Sequence, residues 1–124
     1  MALIRQNCPD LESPVGPYVH AVRYGDVLYT SGLTAFGTKA QKGTIGEQAE
    51  VIFEQLGQIA KQHGTSLSQL IKVTIFVTSL DEIGGLRDAL TATYGDNKPA
   101  SSLVEVVGLF SPDLKVEIEA VMAV

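Results

Sequence analysis

Tryptophan is missing from this 124-residue chain, cysteine occurs once, at Cys8, and histidine twice, at His20 and His63. A single thiol rules out an internal disulfide framework and fits a reducing compartment. Lys and Arg number 9 against 14 Asp and Glu, for a formal net charge of −5, and no basic cluster occurs. The electrostatic footprint of a nucleic-acid or anionic-membrane binder is therefore missing, and neither is expected as a partner. No stretch approaches the roughly 20 apolar residues that span a bilayer, and the opening Met1-Ala2-Leu3-Ile4-Arg5-Gln6-Asn7 lacks the apolar run of a signal peptide. The expected location is the cytoplasm.

Apolar mass is what the chain does have, with 45% hydrophobic residues against 19% charged, a richer mix than an average soluble domain. At this length folding buries roughly two thirds of the surface an unfolded chain exposes, and part of the apolar excess is expected in a subunit interface. No repeat, low-complexity tract or linker-like shift divides the sequence, so residues 1–124 read as one domain.

Val19 to Tyr24 and Val27 to Ser31 are short β-prone runs around Gly25-Asp26, a two-residue turn suited to a II′ hairpin. Thr44 with Glu47 forms a capping box, after which Ile45, Ala49, Ile52, Leu56 and Ile59 recur at helical spacing as far as Gly64. Ile71 to Thr78 suits a central strand, with Phe76 opposite Ile71, Val73, Ile75 and Val77. Ser79 with Glu82 reads as a second capping box, followed by Leu80, Ile83, Leu86, Leu90 and Tyr94, although Gly84-Gly85 weakens that helix. Strands at Ser102 to Leu109 and Lys115 to Ala123, joined around Pro112-Asp113, complete an α+β order ββαβαββ: a mixed sheet with two helices on one face. On the last strand Val116, Ile118, Ala120 and Met122 share a wholly apolar face, and Glu117, Glu119, Val121 and Ala123 share a half-polar one that looks built for a partner subunit.

The chemistry-bearing residues are sparse. His20 and His63 lie in different elements and Cys8 in what reads as an irregular leader, so no catalytic triad assembles. His63, just before the Gly64 stop, reads as a charge partner for the helix dipole; His20, beside Tyr18, either lines a pocket or is an internally satisfied strand histidine. Metal-ligand spacings are absent and no metal is expected. Gly37, Gly43 and Gly46 match no phosphate-binding loop. Glu117 and Glu119 project from one face of a strand, and one of them is expected to be partly buried: a carboxyl group in a low-dielectric cleft relays protons near neutrality, the alternative being a solvated or ion-paired face.

Four segments, Gly16-Pro17-Tyr18-Val19, Leu28-Tyr29-Thr30-Ser31-Gly32, Ile71-Lys72-Val73-Thr74-Ile75-Phe76-Val77 and Lys115-Val116-Glu117-Ile118-Glu119-Ala120, in this order resemble the RidA (YjgF) family, and the likeness runs from Ser13 to Val124. The resemblance implies a chorismate-mutase-like fold, a homotrimer, and clefts between subunits for small carboxylate or imino metabolites. It also implies, for deaminating members, hydrolysis of a 2-imino or enamino acid to a 2-keto acid and ammonia with no cofactor. Tyr18, Ser31 and Glu117 match the family's cleft, Glu117 standing where a glutamate positions or activates water. The family's carboxylate-clamping arginine follows a Pro-Ala pair, and the matching stretch here is Pro99-Ala100-Ser101. A serine hydroxyl does not replace the arginine fork. Leu103 stands at a common pocket cysteine, and Arg87, aligned with a frequent asparagine, is either a substitute clamp or a surface arginine near Asp88 and Glu82. The reading is a RidA-like deaminase of altered specificity, with Glu117 catalytic and Tyr18, Ser31, Arg87, Ser101 and Leu103 binding substrate. The alternative is a non-catalytic metabolite-sensing or regulatory trimer; an RNA-cleaving translation inhibitor ranks last, given the net charge.

Overall fold

The computed structural model describes all 124 residues. Six strands, β1 (Leu3–Gln6), β2 (Ala21–Tyr24), β3 (Val27–Thr30), β4 (Leu70–Val77), β5 (Ala100–Glu105) and β6 (Val116–Ala123), form one sheet in the order β1-β2-β3-β6-β4-β5. Only β4 and β5 run parallel; the other neighbours are antiparallel. The helices α1 (Ile45–Gln62) and α2 (Ile83–Tyr94) pack on one face, as expected. The leader is not irregular: Leu3–Gln6 pairs with β2 and adds a sixth strand, so the order is βββαβαββ. Cys8, just after it, is buried in the core.

Helix α1 follows from its sequence almost residue for residue. The Thr44 hydroxyl accepts the Glu47 N–H at 3.2 Å, and the Glu47 carboxylate accepts the Thr44 N–H at 2.9 Å, which closes the capping box. At the other end Gly64 adopts φ +73°. The N–H groups of Thr65 and Gly64 return to the carbonyls of Ala60 and Lys61, a Schellman stop. Ile45, Ala49, Ile52, Leu56 and Ile59 are all buried against Leu28, Val73, Ile75, Val77, Ile118 and Met122, each such side chain contributing roughly 1.5–3 kcal/mol. Gln48, also fully buried, donates to the carbonyls of Gln41, Gly43 and Asp113 and accepts the Lys115 N–H. It thereby ties the loops before α1 and β6 together without leaving a buried amide unpaired.

Helix α2 starts later than its sequence suggests. The Ser79–Glu82 box does not form: the Ser79 hydroxyl accepts the Asp81 N–H, the Leu80 N–H is taken by the Glu105 carboxylate, and the helix begins at Ile83 with no side-chain cap. Leu80 is exposed. A Cβ on Gly46 of α1 would lie 3.1 Å from the Gly85 carbonyl, so the two helices approach closely at their first turns. Gly85, one of the two glycines that weaken α2 locally, sits at this crossing.

The hairpin turns at Gly25 (φ +62°) with Asp26 at negative φ, the II′ pattern. In β4 a bulge between Leu70 and Lys72 changes the phase, so Leu70 joins Val73, Ile75 and Val77 in the core and Ile71 is exposed. The fifth strand occupies Ala100–Glu105 rather than Ser102 to Leu109, because its pairing with β4 ends at Glu105 opposite Val77. It is an edge strand exposed along its whole length.

Candidate functional site

On β6 the alternation works as expected: Val116, Ile118, Ala120 and Met122 are buried under the helices, Glu117 is half-buried on the open face and Glu119 is exposed. Glu117 lies opposite Phe76 of β4. On its other side the chain leaving β3 bridges to β6, the Leu33 and Ile118 N–H groups exchanging bonds with each other's carbonyls at 2.9 and 3.0 Å. That bridge sets Gly32 directly against the Glu117 side chain. A Cβ at Gly32 would overlap the carboxylate and come within 2.8 Å of its Cδ, so the close approach requires glycine.

Glu117 borders a cavity of about 370 Å³. Tyr18 and Gly32 line it near the sheet, and Glu12, Val15, Phe36 and Phe110 reach it from loops. Phe36 and Phe110 meet edge to face with ring centroids 4.9 Å apart. Burial pushes the Glu117 carboxyl above its ordinary value, and the neighbouring Glu119 charge pushes it further the same way. Such a group takes up and releases a proton closer to neutrality than a free carboxylate does.

His20 also borders the cavity, but its ring is committed: Nδ1 accepts the Cys8 N–H at 2.9 Å, and Nε2 bonds the Glu12 carbonyl at 2.9 Å. Because a backbone N–H can only donate, this is the neutral ring with its proton on Nε2. His20 is the internally satisfied histidine, and it anchors the segment that carries Tyr18. His63 stands at the C-cap of α1, where a charged ring would complement the helix dipole. Burial, with help from the Arg23 charge, lowers its pKa and favours the neutral ring, and its Nε2 has no partner. Tyr94 packs edge to face on Phe53 with its hydroxyl buried and unpartnered, and burial pushes that hydroxyl up to about 12.

Within one chain the residues singled out from sequence fall into two groups. Tyr18 and Glu117 share the cavity, and Ser31 lies in the adjoining depression that Tyr18 also lines, its hydroxyl donating to the Val19 carbonyl at 2.6 Å. Ser101 and Leu103 lie on the β5 edge in register with Val73 and Ile75, on the helix side of the sheet. Their neighbours Ser102 and Val104 share the open face, Ser102 accepting a bond from Lys72 Nζ at 2.9 Å. Arg87 is exposed on α2 and unpaired, since the only ion pair joins Lys115 to Glu82 at 3.9 Å. No three His, Cys, Asp or Glu side chains gather as a metal-binding group, and no helix is long and apolar enough to cross a membrane.

Sequence reasoning missed Phe36, Phe110 and Glu12 as cavity residues. Each sits in a loop without periodicity, and the two phenylalanines are far apart in sequence. Gly32 belongs to one of the family-like segments, but its role is visible only once Glu117 stands beside it.

The family described as Endoribonuclease L-PSP matches residues 10–124. The mitochondrial protein mmf1 of Schizosaccharomyces pombe is 34% identical over 118 residues, covering 93% of this chain and 72% of that protein. A 2-iminobutanoate/2-iminopropanoate deaminase of Dermatophagoides farinae is 27% identical over 119 residues, 94% of this chain and 92% of the relative. The crystal structure of RidA from an Antarctic Psychrobacter superposes with a TM-score of 0.86 at 28% identity, over 97% of this chain and 98% of that one. With the family match running from Asp10 to Val124 and the same two-helix, mixed-sheet fold, the chain belongs to the RidA (YjgF) family.

Proposed function

We propose that this protein is a cofactor-independent imine or enamine deaminase of altered substrate specificity, working in the cytoplasm as a homotrimer. The observation that carries the reading is Glu117, a half-buried carboxyl with a raised pKa, held by the Gly32 contact at the edge of a cavity of small-molecule size. In the reaction a water oxygen attacks the C=N carbon while Glu117 takes its proton. Glu117 then returns a proton to nitrogen as the C–N bond breaks, so that one imine and one water become one carbonyl compound and one ammonia. The relative named as a deaminase supports the chemistry. The apolar part of the open face, with Tyr29, Val104 and Val121, supports the trimer. In that assembly the exposed β5 edge of a neighbouring copy, with Ser101 and Leu103, closes the cavity, Tyr18 shapes its floor, and Ser31 lines the adjoining depression. Arg87 supplies charge from a neighbour only if the substrate is anionic.

A metabolite-sensing trimer is the second reading, favoured by one observation: no lysine or arginine lines the cavity. The name of the family model mentions a nuclease, but a net charge of −5 without a basic stripe offers RNA phosphates no footing. Imines generated in place by an amino-acid oxidase, with ammonia release followed over time, separate the two. Hydrolysis above the spontaneous rate, lost by roughly 10²–10⁴-fold in Glu117→Gln while ligand binding persists, is the expected result. A wild-type protein that binds ligand but accelerates no imine is a sensor.

A further inference from the structure

The cavity's charges are one-sided. Glu12 and Glu117 are carboxylates, none of the 14 lining residues is Lys or Arg, and Glu119 adds negative charge beside Glu117. The one imidazole in the wall, His20, is held neutral by its two bonds. Arg5 lies in the separate depression beyond Tyr18, on a strand three places from β6 in the sheet, roughly 14 Å away at the usual strand spacing. Lys72 is bonded to Ser102, four residues along β4 from the Glu117 partner Phe76, or roughly 13 Å. In a 2-imino acid the carboxylate is bonded directly to the carbon that water attacks. Neither Arg5 nor Lys72 of the same chain can hold it from that distance.

Three of the lining residues are aromatic. Phe36 and Phe110 are 39% and 62% exposed even while packed on each other, and Tyr18 presents a third ring to the same space. Carboxylates and aromatic rings lining one cavity form a setting for an organic cation: the charge is attracted to both, and an apolar arm covers ring surface otherwise left to water.

We infer that the ligand this cavity takes is a small amine-derived cation with an aryl or branched apolar arm and no carboxylate on the reacting carbon. This builds on the hydrolase reading, under which the substrate is an iminium. One iminium and one water become one ketone or aldehyde and one ammonium ion, the water oxygen passing to carbon and both its hydrogens to nitrogen, with the positive charge conserved. Oxidation of a primary amine is the class of reaction that supplies such a substrate.

Three probes of similar shape test the recognition by calorimetry: benzylamine, cationic at neutral pH, neutral benzamide, and anionic benzoate. Benzylamine is expected to bind about tenfold tighter than benzoate. Glu117→Gln should remove most of that difference, and Phe110→Ala, at an exposed position, should weaken benzylamine several-fold with the fold intact by circular dichroism. Benzoate binding as tightly or more tightly, or no binding of benzylamine, overturns the inference. If Arg87→Ala then abolishes benzoate binding, a neighbouring copy's arginine is the clamp. Turnover is scored separately, on the imines of 1-phenylethylamine and of phenylalanine. A cation preference without hydrolysis of either sinks the hydrolase reading and leaves the ligand class standing. Faster hydrolysis of the phenylalanine-derived imine keeps the hydrolase and overturns the ligand class.

Discussion

Along β6, Val116, Ile118, Ala120 and Met122 are all but withdrawn from water, whereas the alternating Glu117, Glu119, Val121 and Ala123 keep part of their surface. Neighbours in sequence thus answer to different demands, packing on one face and, under the proposed function, chemistry on the other. A two-residue period lets one strand serve both with no compromise in its backbone.

The sharpest way to break this contrast is to cut a side chain on each face. Ile118→Ala leaves a cavity beneath the helices and is expected to cost about 2–5 kcal/mol in denaturant unfolding. Glu119→Gln on the open face should stay within about 0.5 kcal/mol. Equal costs would mean that the open face is as much a part of the core as the covered one. Next in size, Gly32→Ala forces the Glu117 carboxylate aside; hydrolysis is expected to fall roughly 100-fold with the unfolding midpoint little changed. Full activity in that variant would show that Glu117 needs no fixed position.

The two helix starts give a smaller effect and a cleaner contrast. Thr44→Ala removes a formed cap and should cost about 1 kcal/mol, while Ser79→Ala, where no cap forms, should stay within about 0.5 kcal/mol. Smallest is the pH response of Glu117. Its folded pKa is raised above the unfolded value, so the folded state holds the proton more tightly. Ionisation therefore costs stability as pH rises from the unfolded value through the folded one, and below that window there is no cost. Glu117→Gln should be slightly more stable than wild type at neutral pH, and the gap should close on acidification. A gap that widens in acid would reverse the sign of the shift.

What could be read in advance was whatever repeats locally. The α1 stripe, its capping box, the II′ hairpin and the β6 alternation are patterns of neighbours, and each stands where expected. The second capping box failed because Asp81 and Glu105 offered Ser79 and Leu80 other partners, one of them distant in sequence. Strand β1 was missed because four residues on a sheet edge carry little periodicity, and their evidence is the pairing with β2. Within the site, Tyr18 and Glu117 do share one cavity, but Phe36 and Phe110 in its lining could not be foreseen. Phe36 and Phe110 come from two unrelated loops, and nothing in either segment announces the other.

Strand β6 has one more consequence, for synthesis. It is the last of the six strands to leave the ribosome, yet it lies between β3 and β4 in the sheet. Until it emerges, β3 and β4 each offer a bare inner edge, and α1 has no complete floor beneath it. The nascent chain must therefore wait with two sticky half-sheets and close them in one late step, a long-range event of the kind that makes folding slow and holding chaperones useful. A chain stalled before Lys115 should be protease-sensitive throughout, and releasing the final strand should protect all of it at once.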